Sequence, residues 1–113
     1  VSELADTPEP PYWAVIFASV RTEGDADRYA QTADEMMALA AEQPGYLGVE
    51  SVHDAETGAG ITVSYWESEQ AIAGWRAHAD HKTAQRLGRE RWYRAYRLRV
   101  ARVERAATFE RSD

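Results

Sequence analysis

The stretch ITVSYWESEQAIAGWRAHADHKTAQRLGRERWYRAY, Ile61 to Tyr96, decides how the rest of the chain is read. It holds three of the four Trp and two of the three His. Gly60 to Trp66 reads as a strand by its alternation. Ser68 suits an N-cap, and Glu69 suits a first turn, where a carboxylate complements the helix dipole. Ala71, Ile72, Trp75 and Ala79 recur at helical spacing and form a buried stripe. Asp80 can cap a second short helix over His81 to Leu87, ended by Gly88. The last strand runs from Trp92 to Val103. Trp92, Tyr96, Leu98 and Val100 share its apolar parity, and Arg94 interrupts them.

Upstream, Tyr12 to Val20 (YWAVIFASV) is apolar at nearly every position. Such a strand belongs in the centre of a sheet, covered on both faces. Thr22, Gly24 and Asp25 break it. A helix over Ala26 to Gln43 follows, with Tyr29, Ala33, Met36, Met37 and Ala40 on one stripe, and Pro44-Gly45 stops it. The two Met read as adaptable core filler. Tyr46 to His53 is the next strand. Only the turn Asp54 to Gly60 separates it from the strand ending at Trp66, so the two form an antiparallel hairpin.

The order is β-α-β-β-α-β. That is an α+β, ferredoxin-like split βαβ arrangement: a four-stranded antiparallel sheet with two helices on one face. Residues 12–107 form one domain. Residues 1–11, with Pro8, Pro10 and Pro11, read as a flexible arm, and 108–113 as a frayed end. The second sheet face should be polar if it meets water, yet the first and last strands carry apolar groups on both parities. A second copy of the same sheet would cover it, giving a homodimer in the form of a dimeric α/β barrel.

Composition narrows the functional classes. A chain of 113 residues fits a single domain. It has no Cys, which excludes disulfides and thiol chemistry and suits a reducing compartment. No apolar run is long enough to span a bilayer and no signal segment opens the chain, so a cytoplasmic location with no membrane partner is expected. Charge is uneven. Residues 1–44 carry nine acids and two Arg, whereas residues 89–113 carry eight Arg and four acids. Arg94, Arg97, Arg99, Arg102 and Arg105 do not share one strand face, and the net charge is -6. No nucleic-acid partner is therefore expected.

His78 and His81 have the spacing of a metal pair, but a third ligand is wanting, and no metal site is expected. Gly58-Ala59-Gly60 is a hairpin turn rather than a phosphate loop, and no nucleotide motif is present, so no cofactor is expected. What remains is a cavity between sheet and helices walled by Trp13, Phe17, Trp66, Trp75, Trp92 and Tyr96. Arg94 or Arg97 would supply a fixed positive charge beside an electron-rich ring.

The segments PGYLGVES (Pro44 to Ser51), YWESEQAIAGW (Tyr65 to Trp75) and HKTAQRLGRERWYRAYRLRVARVE (His81 to Glu104) resemble the antibiotic biosynthesis monooxygenase family. The resemblance covers residues 12–105. It implies a dimeric ferredoxin-like barrel and a monooxygenase that needs no cofactor, taking a small aromatic, polyketide-type phenol and O2. Trp75 matches the helix-two Trp that follows the W-x-S-x-x-A pattern. The family's Asn has no counterpart, because this chain contains no Asn. Tyr65, Tyr96 and Arg94 stand for the Tyr and Arg. Haem-degrading relatives carry a first-strand Asn and a His ten residues after the Trp. Here Ala18 or Ser19 and Gln85 occupy those places.

The expected catalytic set is therefore Trp75, His81, Arg94 and Tyr96. Trp75 shapes the site, His81 or a Tyr is the base, and Arg94 holds developing negative charge. The alternatives are a non-catalytic small-ligand-binding or interaction protein, and a haem-binding or haem-degrading protein on the same scaffold.

Overall fold

A computed structural model describes residues 3–23, 26–78 and 92–111, and for 26–33 the backbone alone. The elements are β1 (Tyr12–Arg21), α1 (Ala26–Ala41), β2 (Tyr46–His53), β3 (Ala59–Trp66), α2 (Glu69–Ala77) and β4 (Tyr93–Val103). They form one antiparallel sheet in the order β2-β3-β1-β4. The split βαβ reading holds, with β1 and β3 central.

Local chemistry explains where the elements start and stop. Ser68 caps α2, its hydroxyl accepting from the Ala71 amide at 3.1 Å. Gly45 follows α1 with φ +86°. A Cβ there would stand 2.5 Å from the Ala71 Cβ, so the turn that leads into β2 also requires the missing side chain to let α2 approach. The Gly45 carbonyl then accepts from the Glu67 amide at 2.8 Å, joining the start of β2 to the end of β3.

One face of the sheet carries the helices. Trp66, Trp75, Ile72 and Ala40 form its buried cluster, with Trp13, Val15, Met36, Leu39, Tyr46 and Ala71 packed against it. Cross-strand partners lie on the same face, so this face also holds Phe17 and Ser19 of β1, Thr62 and Gly60 of β3, and Tyr96, Leu98 and Val100 of β4. The expected α1 stripe places Met36 and Ala40 here, and Leu39 joins them. The side chains of Tyr29 and Ala33 lie outside the described residues, as does the short helix expected over His81 to Leu87.

Among the described residues the other face carries no helix, and its two ends differ. At the first end the N-terminal segment lies against it. Glu50 accepts from the Ala5 amide at 3.0 Å and from the Tyr65 hydroxyl at 2.6 Å, and Thr7 donates to the Tyr12 hydroxyl at 2.9 Å. Burial and the Glu50 carboxylate push the Tyr65 phenol well above its usual pKa. Ala5 and Thr7, in the segment expected as a flexible arm, make these two hydrogen bonds. At the second end Val52 and Ile61 are exposed. Together with Ala18, Val20, Ala95 and Arg97 they border a shallow, open depression of about 700 Å³. Among the described residues no helix is long and apolar enough to cross a membrane.

Candidate functional site

A row of four residues crosses the helix-covered face near the C-terminal end of β1. Tyr96 stands opposite Ser19, Ser19 opposite Gly60, and Gly60 opposite His53. One residue comes from each strand. Directly opposed side chains in an antiparallel pair are neighbours, with Cβ atoms about 4.5–5.5 Å apart. The row therefore aligns positions drawn from parts of the chain that are remote in sequence.

Gly60 is what lets the row close. A Cβ at this position would collide with the imidazole of His53, standing 2.9 Å from Nε2 and nearer still to Cδ2. The ring of His53 therefore lies over the Gly60 backbone, toward Ser19, and Gly60 is buried beneath it. Partial burial and the Arg21 guanidinium hold the His53 pKa below its ordinary 6.5. The imidazole is neutral at pH 7, the form that can accept a proton.

Ser19 is 7% exposed, and its hydroxyl has no hydrogen-bond partner. Buried hydroxyls in folded proteins are nearly always satisfied, so an orphan of this kind calls for an explanation. A bound polar group is one. Beside it stands an aromatic wall. Phe17 lies 5.3 Å from Tyr93 and 5.2 Å from Tyr96, and the two Tyr rings lie 5.8 Å apart, edge to face. In the next row, Ser51 and Thr62 are hydrogen-bonded to each other at 2.7 Å.

The wall depends on an irregularity in β4. The register with β1 shifts between Val20 and Arg21, so that Val20 faces Ala95 and Arg21 faces Tyr93. Arg94 is the extra residue of this bulge. Regular alternation would set Tyr93 and Tyr96 on opposite faces. The bulge returns them to the same one, both against Phe17.

The sequence-derived candidates therefore separate. Tyr96 belongs to the row. Arg94 shares the parity of Tyr96 in sequence, but the bulge leaves it exposed and apart from the row. Arg97 lies on the opposite face, its guanidinium donating to the Tyr96 carbonyl at 3.0 Å. Trp75 is in the core, stacked on Trp66 at 6.2 Å, with the His78 ring 6.4 Å away. His81 and Gln85 lie outside the described residues. Ser19 and His53 were not in the expected set. Ser19 could have been marked as a small polar residue within the apolar run YWAVIFASV, and His53 by the Gly60 that faces it across a short hairpin. Among the described residues no three His, Asp or Glu cluster as metal ligands do.

The model of the antibiotic biosynthesis monooxygenase family matches residues 11–87. The chain belongs to that family. The match ends before β4, so Tyr93 and Tyr96 rest on the fold rather than on the family pattern. The uncharacterized protein YqjZ of Bacillus subtilis (strain 168) is 55% identical over 107 residues, spanning 95% of this chain and 92% of that protein. Among solved structures, protein SO0527 from Shewanella oneidensis superposes with a TM-score of 0.74 at 9% identity, covering 89% of this chain and all of that one. A variant of SnoaB, a cofactor-independent oxygenase from Streptomyces nogalater, superposes with a TM-score of 0.69 at 11% identity, covering 90% of this chain and 98% of that one. These two likenesses are likenesses of fold.

Proposed function

We propose that this family member is a cofactor-independent monooxygenase for a small aromatic, phenolic substrate. One observation carries the reading: the Phe17, Tyr93 and Tyr96 wall stands beside the unpartnered, buried hydroxyl of Ser19. A flat electron-rich ring suits the wall, and a ring oxygen suits the hydroxyl. The cation at Arg21 and the neutral imidazole of His53 favour a substrate that loses a proton before it meets O2. Family membership and the likeness to SnoaB support the same class of reaction.

The balanced reaction for an anthrone is oxidation of the ring CH2 to a carbonyl by one O2, with one oxygen atom retained and the other leaving as water. Oxygen uptake with a panel of anthrone-type phenols tests it, with Trp75→Phe as a comparison variant. Uptake matched to quinone formation is the expected result. A folded protein that binds the phenols without consuming O2 returns the reading to a non-catalytic binding protein.

The working form is a homodimer joined through the helix-free face. Val52 and Ile61, 70% and 47% exposed, support this, because apolar residues next to a shallow depression gain by being covered. Sedimentation equilibrium should give twice the chain mass, and Val52→Lys with Ile61→Lys should give the monomer. The absence of Cys favours a cytoplasmic location.

A further inference from the structure

We propose that the helix-free face is self-complementary: residues 3–11 of one copy dock in the depression of a second copy. Leu4 is the apolar anchor, and Glu3, Asp6 and Glu9 face Arg97 and Arg99. This rests on the homodimer proposed above and adds the segment that fills its interface.

The segment forms a ridge on one end of the face. Ala5 and Thr7 turn to the sheet and are half-buried, whereas Glu3, Leu4, Asp6 and Glu9 are exposed. The inward residues have a prepared seat. A Cβ at Gly48 would stand 2.8 Å from the Ala5 Cβ, so the segment lies closer to β2 than a side chain at position 48 would permit. The Glu50 carboxylate then accepts from the Ala5 amide, and the Tyr12 hydroxyl from Thr7. Tyr12 in turn meets Tyr65 edge to face at 5.8 Å. Outward, the ridge presents three carboxylates, no base, and Leu4 at 60% exposure.

The far end of the face has the opposite character. Strand register orders the rows. Gly48, Tyr65 and Ala14 share the row of the ridge, and Glu50, Val63, Ile16 and Arg99 cross the middle. Val52, Ile61, Ala18 and Arg97 cross the far end. That end is the open depression of about 700 Å³, largely apolar, with Arg97 at its border, and residues 3–11 do not line it. Arg97 and Arg99 are both exposed. One face thus carries an acidic ridge with a leucine at one end and an apolar hollow beside two cations at the other.

Two-fold symmetry makes these ends partners. An axis crossing the strands at the middle row lays ridge on hollow twice, once in each direction. An axis along the strands instead lays ridge on ridge and hollow on hollow, which sets like charges together. The first arrangement joins raised to sunken, leucine to apolar surface and carboxylate to guanidinium, and each match is made twice.

Cross-linking is the first test. The chain contains no Cys, so an introduced thiol is the only one. Leu4→Cys and Val52→Cys proteins of different isotopic mass are mixed, left to exchange subunits and treated with a short bismaleimide. Any product between L4C and V52C joins two chains, and it should exceed both same-variant products. A dimer that yields mainly the L4C pair, or no mixed product, overturns the docking and leaves the homodimer standing.

Charge reversal is the second test. Arg97→Glu with Arg99→Glu should raise the dimer dissociation constant by about 10²-fold, and Glu3→Arg with Asp6→Arg should do the same. An equimolar mixture of the two variants should recover wild-type association, because each ridge then meets a hollow of opposite charge. No loss in either variant overturns the docking. So does loss without recovery on mixing when both variants keep the wild-type circular dichroism. A wild type that sediments only as a monomer removes the homodimer itself, and this inference falls with it.

Discussion

The two ends of the helix-covered face are built from the same strands, yet they are packed differently. At one end Trp13 stands opposite Trp66, and Trp66 is wholly buried under Trp75, Ile72 and Ala40. Its indole N–H donates to Ser64 at 2.9 Å, so even the polar atom is satisfied. At the other end Ser19 stands opposite Gly60, a hydroxyl lacks a partner, and the His53 imidazole lies over the glycine. The first end has the features of a core and the second those of a site. In the proposed reading stability and function are separated along the strands, and Trp75 packs at the core end.

That separation can be broken from the core end first. Trp66→Ala should lower the unfolding free energy by about 3–5 kcal/mol, because it leaves a large cavity beneath two helices. Urea denaturation measures it, and a loss under ~1 kcal/mol would mean that this end is not the core. Gly45→Ala should lose roughly 1–3 kcal/mol, since it combines a positive φ with a Cβ pressed on Ala71. Ser68→Ala should lose about 1 kcal/mol through the α2 cap.

The site end should respond with the opposite sign. Ser19→Ala removes a buried hydroxyl that bonds to nothing, so the free protein should gain about 1 kcal/mol while substrate binding weakens. A loss of stability in this variant would mean that the hydroxyl has a structural partner. The smallest expected effect is the pH dependence. The folded pKa of His53 lies below its unfolded 6.5, so the unfolded chain binds the extra proton. Stability therefore falls as pH drops below 6.5, and the penalty is complete once pH is below the folded pKa. His53→Gln should flatten the change in Tm between about pH 7.5 and pH 5.5. An unchanged slope would mean that the ring is not held by its surroundings.

Much of the architecture was legible before any coordinates. The apolar run from Tyr12, the Pro44-Gly45 stop and the Ser68 cap each reflect forces between near neighbours in the chain, and the element bounds follow them closely. The apolar character of the second face was legible for the same reason, since strand parity is local. The site was less so. Strict alternation set Arg94 beside Tyr96, and a single bulge residue moved it to solvent. His81 and Trp75 attracted attention through the aromatic and His density of one stretch, whereas His53 stands alone in a hairpin.

The amino-acid sequence by itself determined the order and type of elements and the existence of an apolar second face, because periodicity and capping act over a few residues. Only the tertiary structure decided which side chains meet. Tyr96, Ser19, Gly60 and His53 lie on four strands, and what aligns them is hydrogen-bond register between segments tens of residues apart. Register is set by packing of the whole sheet and by one bulge, and a shift of one residue would turn every member of the row to the other face.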